Sequence, residues 1–110
     1  MCIRDSDNTG VGYVALSSNT TGTSNTALGS QALEANTTAD NNTGIGYKAL
    51  EANTTGSQNT ALGSAALMGC TTGYQNTCIG YVAGDAITTG YYNTAVGRAC
   101  LLYTSPSPRD

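Results

Sequence analysis

The chain repeats a 17-residue unit without an insertion or a deletion. An Asn-Thr pair begins each unit, at residues 8, 25, 42, 59, 76 and 93. The stretch "NTALGSQALEANTT" at 25–38 returns as "NTGIGYKALEANTT" at 42–55. A period this strict is typical of repeats that stack on one another, because one added residue would misalign every contact that follows.

Counting each unit from its Asn sorts the residues into columns of like side chains. Position 2 is always Thr and position 5 is always Gly. Position 8 is Ala in the five complete units, position 9 is Leu in four of them, and positions 13 and 14 are both Thr. Position 4 is always aliphatic: Val11, Leu28, Ile45, Leu62, Ile79 and Val96.

A unit of this length predicts an all-β fold. It is too short for the helix pair of a helical solenoid, and the six or seven residues of "SQALEA" type lie too close to Gly and Asn-Thr-Thr to form an independent helix. We therefore expect a β-solenoid, a parallel β-roll with one 17-residue coil per repeat and about 5.4 repeats. Positions 2–4 would form a strand that ends at the Gly of position 5, with further extended segments at 7–9 and 12–14.

The columns also suggest which side chains face the interior. We expect position 4 to form a buried core ladder, together with the Ala at position 8 and the Leu at position 9. Position 3 lies on the opposite face of the same strand and is always small: Gly10, Ala27, Gly44, Ala61, Cys78 and Ala95. That ladder is either a surface for close approach of another chain or a column where small residues are merely tolerated.

The composition argues against nucleic-acid binding, catalysis and metal binding. There is no His, charged residues are 10% of the chain, and the net charge is −3, so we expect neither a nucleic-acid partner nor an enzyme or a cofactor. No apolar run approaches the roughly 18 residues of a membrane span. Glu34, Glu51 and Asp85 share position 10, but Met68 interrupts that column, which favours a solvated face over a calcium site. Cys70 and Cys78 indicate neither a disulfide framework nor a metal site.

Tyrosines are the candidate surface-contact residues. Tyr alternates at position 6 with Ser30, Ser64 and Arg98, and three more tyrosines follow at positions 16 and 17 of the later units. Exposed Tyr on a polar solenoid suits contact with glycans or another surface, and packing at the corners of the coil is the alternative. The candidates are Tyr13, Tyr47, Tyr81, Tyr74, Tyr91 and Tyr92.

Both ends of the chain depart from the repeat. We divide the chain into residues 1–6, a repeat segment at 7–99, and residues 100–110. Back-translation of "MCIRD" as ATG TGT ATA AGA GAC, followed by the AG that can begin the Ser6 codon, has a reverse complement that encodes Cys-Leu-Leu-Tyr-Thr in one frame, the sequence of residues 100–104. The ends therefore resemble translated strands of a transposase adapter from sequencing libraries. We expect residues 1–6 and 100–110 not to be native and the natural chain to continue in both directions, so the lack of a signal peptide after Met1 carries no information.

The frame Thr26-Ala27-Leu28-Gly29-Ser30-Gln31-Ala32, repeated at Thr60–Ala66, resembles the head repeats of trimeric autotransporter adhesins. The variety "NTAxGxxAL…NTTG" is also similar to repeats of phage tail fibres and of large bacterial surface proteins. The resemblance covers residues 8–99, although this unit is a few residues longer than the usual adhesin unit. It implies a left-handed parallel β-roll, a homotrimer, and an extracellular location at a bacterial surface or on a virion.

Two functions follow as expectations. The first is a structural and adhesive segment of a trimeric fibre, which projects a tip and presents repeated side chains to a host surface or a glycan. The alternative is an ice-binding β-solenoid, suggested by Thr at positions 2, 13 and 14. A polysaccharide lyase on a β-helix would need catalytic carboxylates or bases that the sequence lacks.

Overall fold

The computed structural model describes residues 2–3 and 7–99, and it confirms the predicted β-solenoid. Its strands form a single sheet in chain order, and no helix occurs among the described residues. Each 17-residue coil contributes one strand of three residues, parallel to its neighbours. The strands are β1 (Cys2–Ile3), β2 (Thr9–Val11), β3 (Thr26–Leu28), β4 (Thr43–Ile45), β5 (Thr60–Leu62), β6 (Thr77–Ile79) and β7 (Thr94–Val96).

The period sets the register of the sheet. Residues 17 apart are direct partners, as Leu28 and Ile45 are between β3 and β4. The backbone N–H of Thr26 donates to the carbonyl of Asn42 at 2.8 Å, and that of Gly46 donates to Leu28 at 2.7 Å. Among the strands that the structure describes, β1 alone is antiparallel to its neighbour. Apart from Cys2–Ile3, the predicted non-native ends at 1–6 and 100–110 lie outside the described residues.

The assignment of the two strand faces was wrong. Position 3 is buried, with Ala27, Ala61 and Cys78 completely inaccessible to solvent. The position 4 ladder, predicted to form the core, points outward instead. Five of its members are between 37% and 65% exposed and Ile45 is partly exposed: Val11, Leu28, Ile45, Leu62, Ile79 and Val96.

The width of the coil explains this inversion. A Cβ added to Gly44 at position 3 would lie 3.2 Å from the carbonyl oxygen of Ala49 and 3.4 Å from Cγ of Leu33. The Leu column on the far side of the coil therefore already fills the space, and only Gly, Ala or Cys fits at position 3. A large aliphatic side chain on the same strand must face outward. The small position 3 ladder cannot be a surface for close approach of another chain.

The hydrophobic core combines the predicted Ala and Leu columns at positions 8 and 9 with the position 3 column and with Cys70 and Ile87 at position 12. Two consecutive residues face inward because the backbone there is not extended: φ is 61° at Lys48 and 54° at Leu50, and the other coils repeat this pattern. Positions 6–11 form turns, so the predicted extended segment at 7–9 was wrong, and 12–14 form no strand either. The buried members of the Ala and Leu columns are Ala15, Leu16, Ala32, Leu33, Ala49, Leu50, Ala66, Leu67 and Ala83.

Buried asparagines connect successive coils. At position 1, the Oδ1 of Asn42 accepts a hydrogen bond from the backbone N–H of Asn59 at 2.9 Å, while its Nδ2 donates to the carbonyl of Gly56 at 2.8 Å. The position 1 Asn of each of the other four complete coils makes the same pair of bonds: Asn8, Asn25, Asn59 and Asn76. The invariant Asn therefore satisfies two buried backbone groups that no neighbouring strand reaches.

Two glycine columns are required for different reasons. At position 5, φ lies between 120° and 134°, a region that only Gly adopts readily. At position 15 φ is not positive, and the requirement is close stacking: a Cβ on Gly73 would clash with the carbonyl oxygen of Gly90. Position 15 therefore forms no left-handed corner.

Candidate functional site

The outward side of the parallel strands forms the first candidate surface, here called the sheet face. It consists of the Thr column at position 2 and the aliphatic column at position 4 of β2–β7. Its hydroxyl groups make no hydrogen bond within the described part of the chain. No charged residue occurs at either position in any unit. The sheet face is thus a regular, uncharged array of hydroxyl and methyl groups.

Most of the threonines at position 13 differ from those at position 2, because their hydroxyl groups form hydrogen bonds within the stack. At position 13 the hydroxyls of Thr20, Thr37, Thr54 and Thr71 donate to the backbone carbonyl of the next coil, as Thr37 Oγ1 does to Thr54 at 3.2 Å. These groups stabilise the stack and are not available to a ligand in the same way. Of the Thr columns that suggested ice binding, position 2 therefore offers free hydroxyl groups on a strand, whereas position 13 does not.

The position 6 tyrosines form a separate, widely spaced column. Tyr13 is 75% exposed, and Tyr47 and Tyr81 are more than half exposed. The Nζ of Lys48 lies 5.3 Å from the ring centre of Tyr47, and the guanidinium of Arg98 lies 5.5 Å from that of Tyr81, which are cation–π distances. These rings lie on alternate coils, so they do not stack on one another.

The other three tyrosines form a compact group, here called the tyrosine cluster. The rings of Tyr74 and Tyr91 are stacked in parallel, 3° apart in orientation and 4.9 Å between centres. Tyr92 lies edge-on to both, at 5.7 Å from Tyr74 and 5.2 Å from Tyr91. Because the two distances are similar, Tyr92 lies beside the stacked pair and covers neither outer face. Tyr74 and Tyr92 are 40% and 49% exposed.

Five of the six tyrosines predicted as contact residues are exposed on the surface. The sixth, Tyr91, is half-buried. Whether they contact a partner stays a prediction. The sheet face was missed because its aliphatic column was assigned to the core. The signal that could have found it was the uniformly small position 3, which is the signature of a narrow interior.

Acidic and sulfur groups are dispersed over the described residues. No group of three His, Cys, Asp or Glu side chains there could hold a metal ion. Cys70 and Cys78 are buried free thiols. Burial raises the pKa of the Cys70 thiol to about 11, despite a hydrogen bond to Gly73, so this group is protonated and unreactive at neutral pH.

Comparison with known proteins returns no relative. No protein-family model, no curated protein and no solved structure matches the chain. None of the described residues belongs to a helix that is long and apolar enough to cross a membrane.

Proposed function

We propose that residues 8–99 form a structural and adhesive segment of a homotrimeric fibre, such as a bacterial surface adhesin or a phage tail fibre. The fibre acts passively, projecting its tip from a cell surface or a virion and presenting repeated side chains for multivalent contact. This places the chain outside the cell. The sequence resemblance motivates the proposal, and the exposed aliphatic column of the sheet face is the single observation that carries it.

That column is unusual for the surface of a single chain. A stable monomer rarely leaves a continuous stripe of large aliphatic side chains open to water, and such stripes mark protein–protein contacts. The column runs through all of β2–β7 without an interruption, and its members follow the same register as the strands. Identical chains that lie side by side have the same spacing between coils. Their aliphatic columns can therefore contact one another over the whole length of the stack.

The energy of this contact grows with the number of coils. Full burial of a Val, Leu or Ile side chain contributes about 1.5–3 kcal/mol, and these side chains are roughly half exposed, so each coil has about 1 kcal/mol still to gain. Six coils give about 6 kcal/mol per chain, near the lower end of the about 4–15 kcal/mol that association costs. A longer array of the same repeat would therefore assemble more firmly.

Light scattering tests the proposal. We expect the measured mass to approach three times the 11.1 kDa of one chain as the protein concentration rises. Leu28→Asp on the sheet face should reduce that mass to one chain, because a buried unpaired charge costs several kcal/mol. Thr38→Asp, at an exposed position away from the sheet face, is the matched control and should not. A single-chain mass at all concentrations would reject the trimer.

Ice binding is the second candidate, and the sheet face favours it too. The outward pattern of each strand is Thr-x-aliphatic, with free hydroxyl groups and methyl groups in regular rows and no charge. Growing ice would contact such a surface on a single chain. The ice-binding proposal would be supported by thermal hysteresis that the parent chain shows and the Thr43→Lys variant lacks. If that protein also has the mass of a single chain, the fibre proposal would be contradicted. An absence of thermal hysteresis in the parent chain would contradict the ice-binding proposal.

A further inference from the structure

We infer that the tyrosine cluster is a stacking site for neutral pyranose sugars, with the outer face of Tyr74 as its floor. The inference rests on the adhesive part of the function proposed above, to which it adds a ligand and a place. It does not depend on how many chains assemble.

The cluster is not required by the fold. Position 16 holds Thr23, Asp40 and Ser57 in the first three coils, and position 17 holds small or amide side chains in coils with the same backbone. The last two coils replace these with three tyrosines at one place. An aromatic group that the stack does not need, and that remains exposed, indicates contact with something outside the chain.

Tyr92 also carries a conformational cost. Its φ is 59°, a left-handed backbone that Asn adopts with little strain and that costs other side chains about 1 kcal/mol. Asn41 lies at the same position 17, three coils before Tyr92, with a φ of 62°. Position 17 thus accepts a residue that suits this backbone better than Tyr, and Tyr92 is not there for stability.

The open side of the stacked pair lies towards Ser57. Tyr74 and Tyr91 occupy one column, one coil apart, and their 4.9 Å separation matches the spacing of neighbouring strands. The other face of Tyr74 therefore points to the next place in that column, where Ser57 has only a hydroxymethyl group. A sugar ring needs about 3.5–4 Å of contact distance, so one ring fits there and continues the stack.

The chemistry of the surroundings selects the ligand class. No charged residue occurs at 52–58, 70–76 or 87–93, the stretches that contain the cluster and the proposed place. The next side chain in the column beyond Ser57 is the carboxylate of Asp40, which accepts hydrogen bonds from the N–H and the hydroxyl of Thr23 at 2.8 and 3.2 Å. The exposed amides of Gln58 and Gln75 lie at position 17 beside this place. The Oγ of Ser57 accepts a hydrogen bond from the N–H of Asp40 at 3.1 Å, which leaves its own proton to donate. A neutral pyranose matches this set, with C–H groups on the ring face and hydroxyl groups at the edge.

Aromatic NMR titration of the whole chain tests the site. Cellotetraose and lactose are the neutral probes, and trigalacturonate is the charged comparator. Each is added to about 10 mM, which saturates a site with a Kd of about 1 mM or lower. We expect the Tyr74 and Tyr91 signals to shift with the neutral probes. Tyr74→Ser should weaken binding at least tenfold, and so should Ser57→Tyr, which fills the proposed place with a third ring. Tyr13→Ser, whose side chain occurs naturally at 30 and 64, should bind like the parent chain.

Three results would overturn the inference: no shift with either neutral probe, equal binding by Ser57→Tyr, or preference for trigalacturonate. Circular dichroism checks that each variant keeps the fold. The outcome is separate from that of light scattering. A single chain that binds the neutral probes would reject the fibre alone, and a trimer that does not bind them would reject the sugar site alone.

Discussion

Asn59→Ala should reveal how much the buried asparagine column contributes to stability. The Nδ2 of Asn59 donates to the carbonyl of Gly73 at 2.8 Å, and its Oδ1 accepts from the backbone N–H of Asn76 at 3.0 Å. Removing the amide leaves both backbone groups buried without these partners. An unsatisfied buried group costs about 1–3 kcal/mol, so we expect a loss of about 2–6 kcal/mol in the free energy of unfolding. Domains are stable by only about 5–15 kcal/mol, so this is a large fraction.

Urea unfolding followed by circular dichroism measures this loss. Thr72→Ala is the matched control, because its hydroxyl is exposed and makes no hydrogen bond in the described chain, and its effect should stay within about 0.5 kcal/mol. The reasoning would be refuted by an Asn59→Ala chain that unfolds at the same urea concentration as the parent, with an unchanged dependence on urea. Water would then be able to replace the amide inside the stack.

Three further changes test other parts of the account. Gly63→Ala should destabilise the chain by at least about 2 kcal/mol in thermal unfolding, since φ is 134° and the new Cβ would lie 2.6 Å from the carbonyl oxygen of Gly80; an unchanged melting temperature would contradict this. Val82→Asn should raise stability by about 1 kcal/mol, because the β-branched side chain has a φ of 48°, and a loss of stability would count against strain there. Folding raises the pKa of the Cys70 thiol from 9.0 to about 11, so the stability gained from its protonated form is complete below pH 9 and is lost between pH 9 and 11, about 3 kcal/mol in all. The difference in unfolding free energy between the parent chain and Cys70→Ala should shrink over that range, and a constant difference would disprove the linkage.

The period of the sequence predicted the architecture well, because stacking depends only on equal coil lengths. It correctly paired residues 17 apart, such as Tyr74 and Tyr91, and placed positions 3 and 4 on opposite faces. It failed to say which face is inside. Ile45 is more hydrophobic than Gly44, and only the cross-section of the coil shows that no space remains beside Leu33.

The turns at positions 6–11 were missed for a local reason. Left-handed residues are normally recognised from Gly or Asn, whereas Lys48 and Leu50 carry positive φ here without either signal. Hydrogen bonds between coils stabilise them, as between the N–H of Leu50 and the carbonyl of Ala66 at 3.0 Å. Tertiary stacking therefore overrides the local preference, which a single unit read alone does not show.

The central claim is that each strand turns its small residue inward and its large aliphatic residue outward, towards other chains. Ala61→Asp and Leu62→Asp test it together, since the two residues are adjacent in β5. Circular dichroism and light scattering of both variants form one measurement. We expect Ala61→Asp to unfold, because it places a charge in a fully buried position, and Leu62→Asp to keep its spectrum while its mass falls to a single chain. A folded Ala61→Asp chain beside an unfolded Leu62→Asp chain would contradict the account.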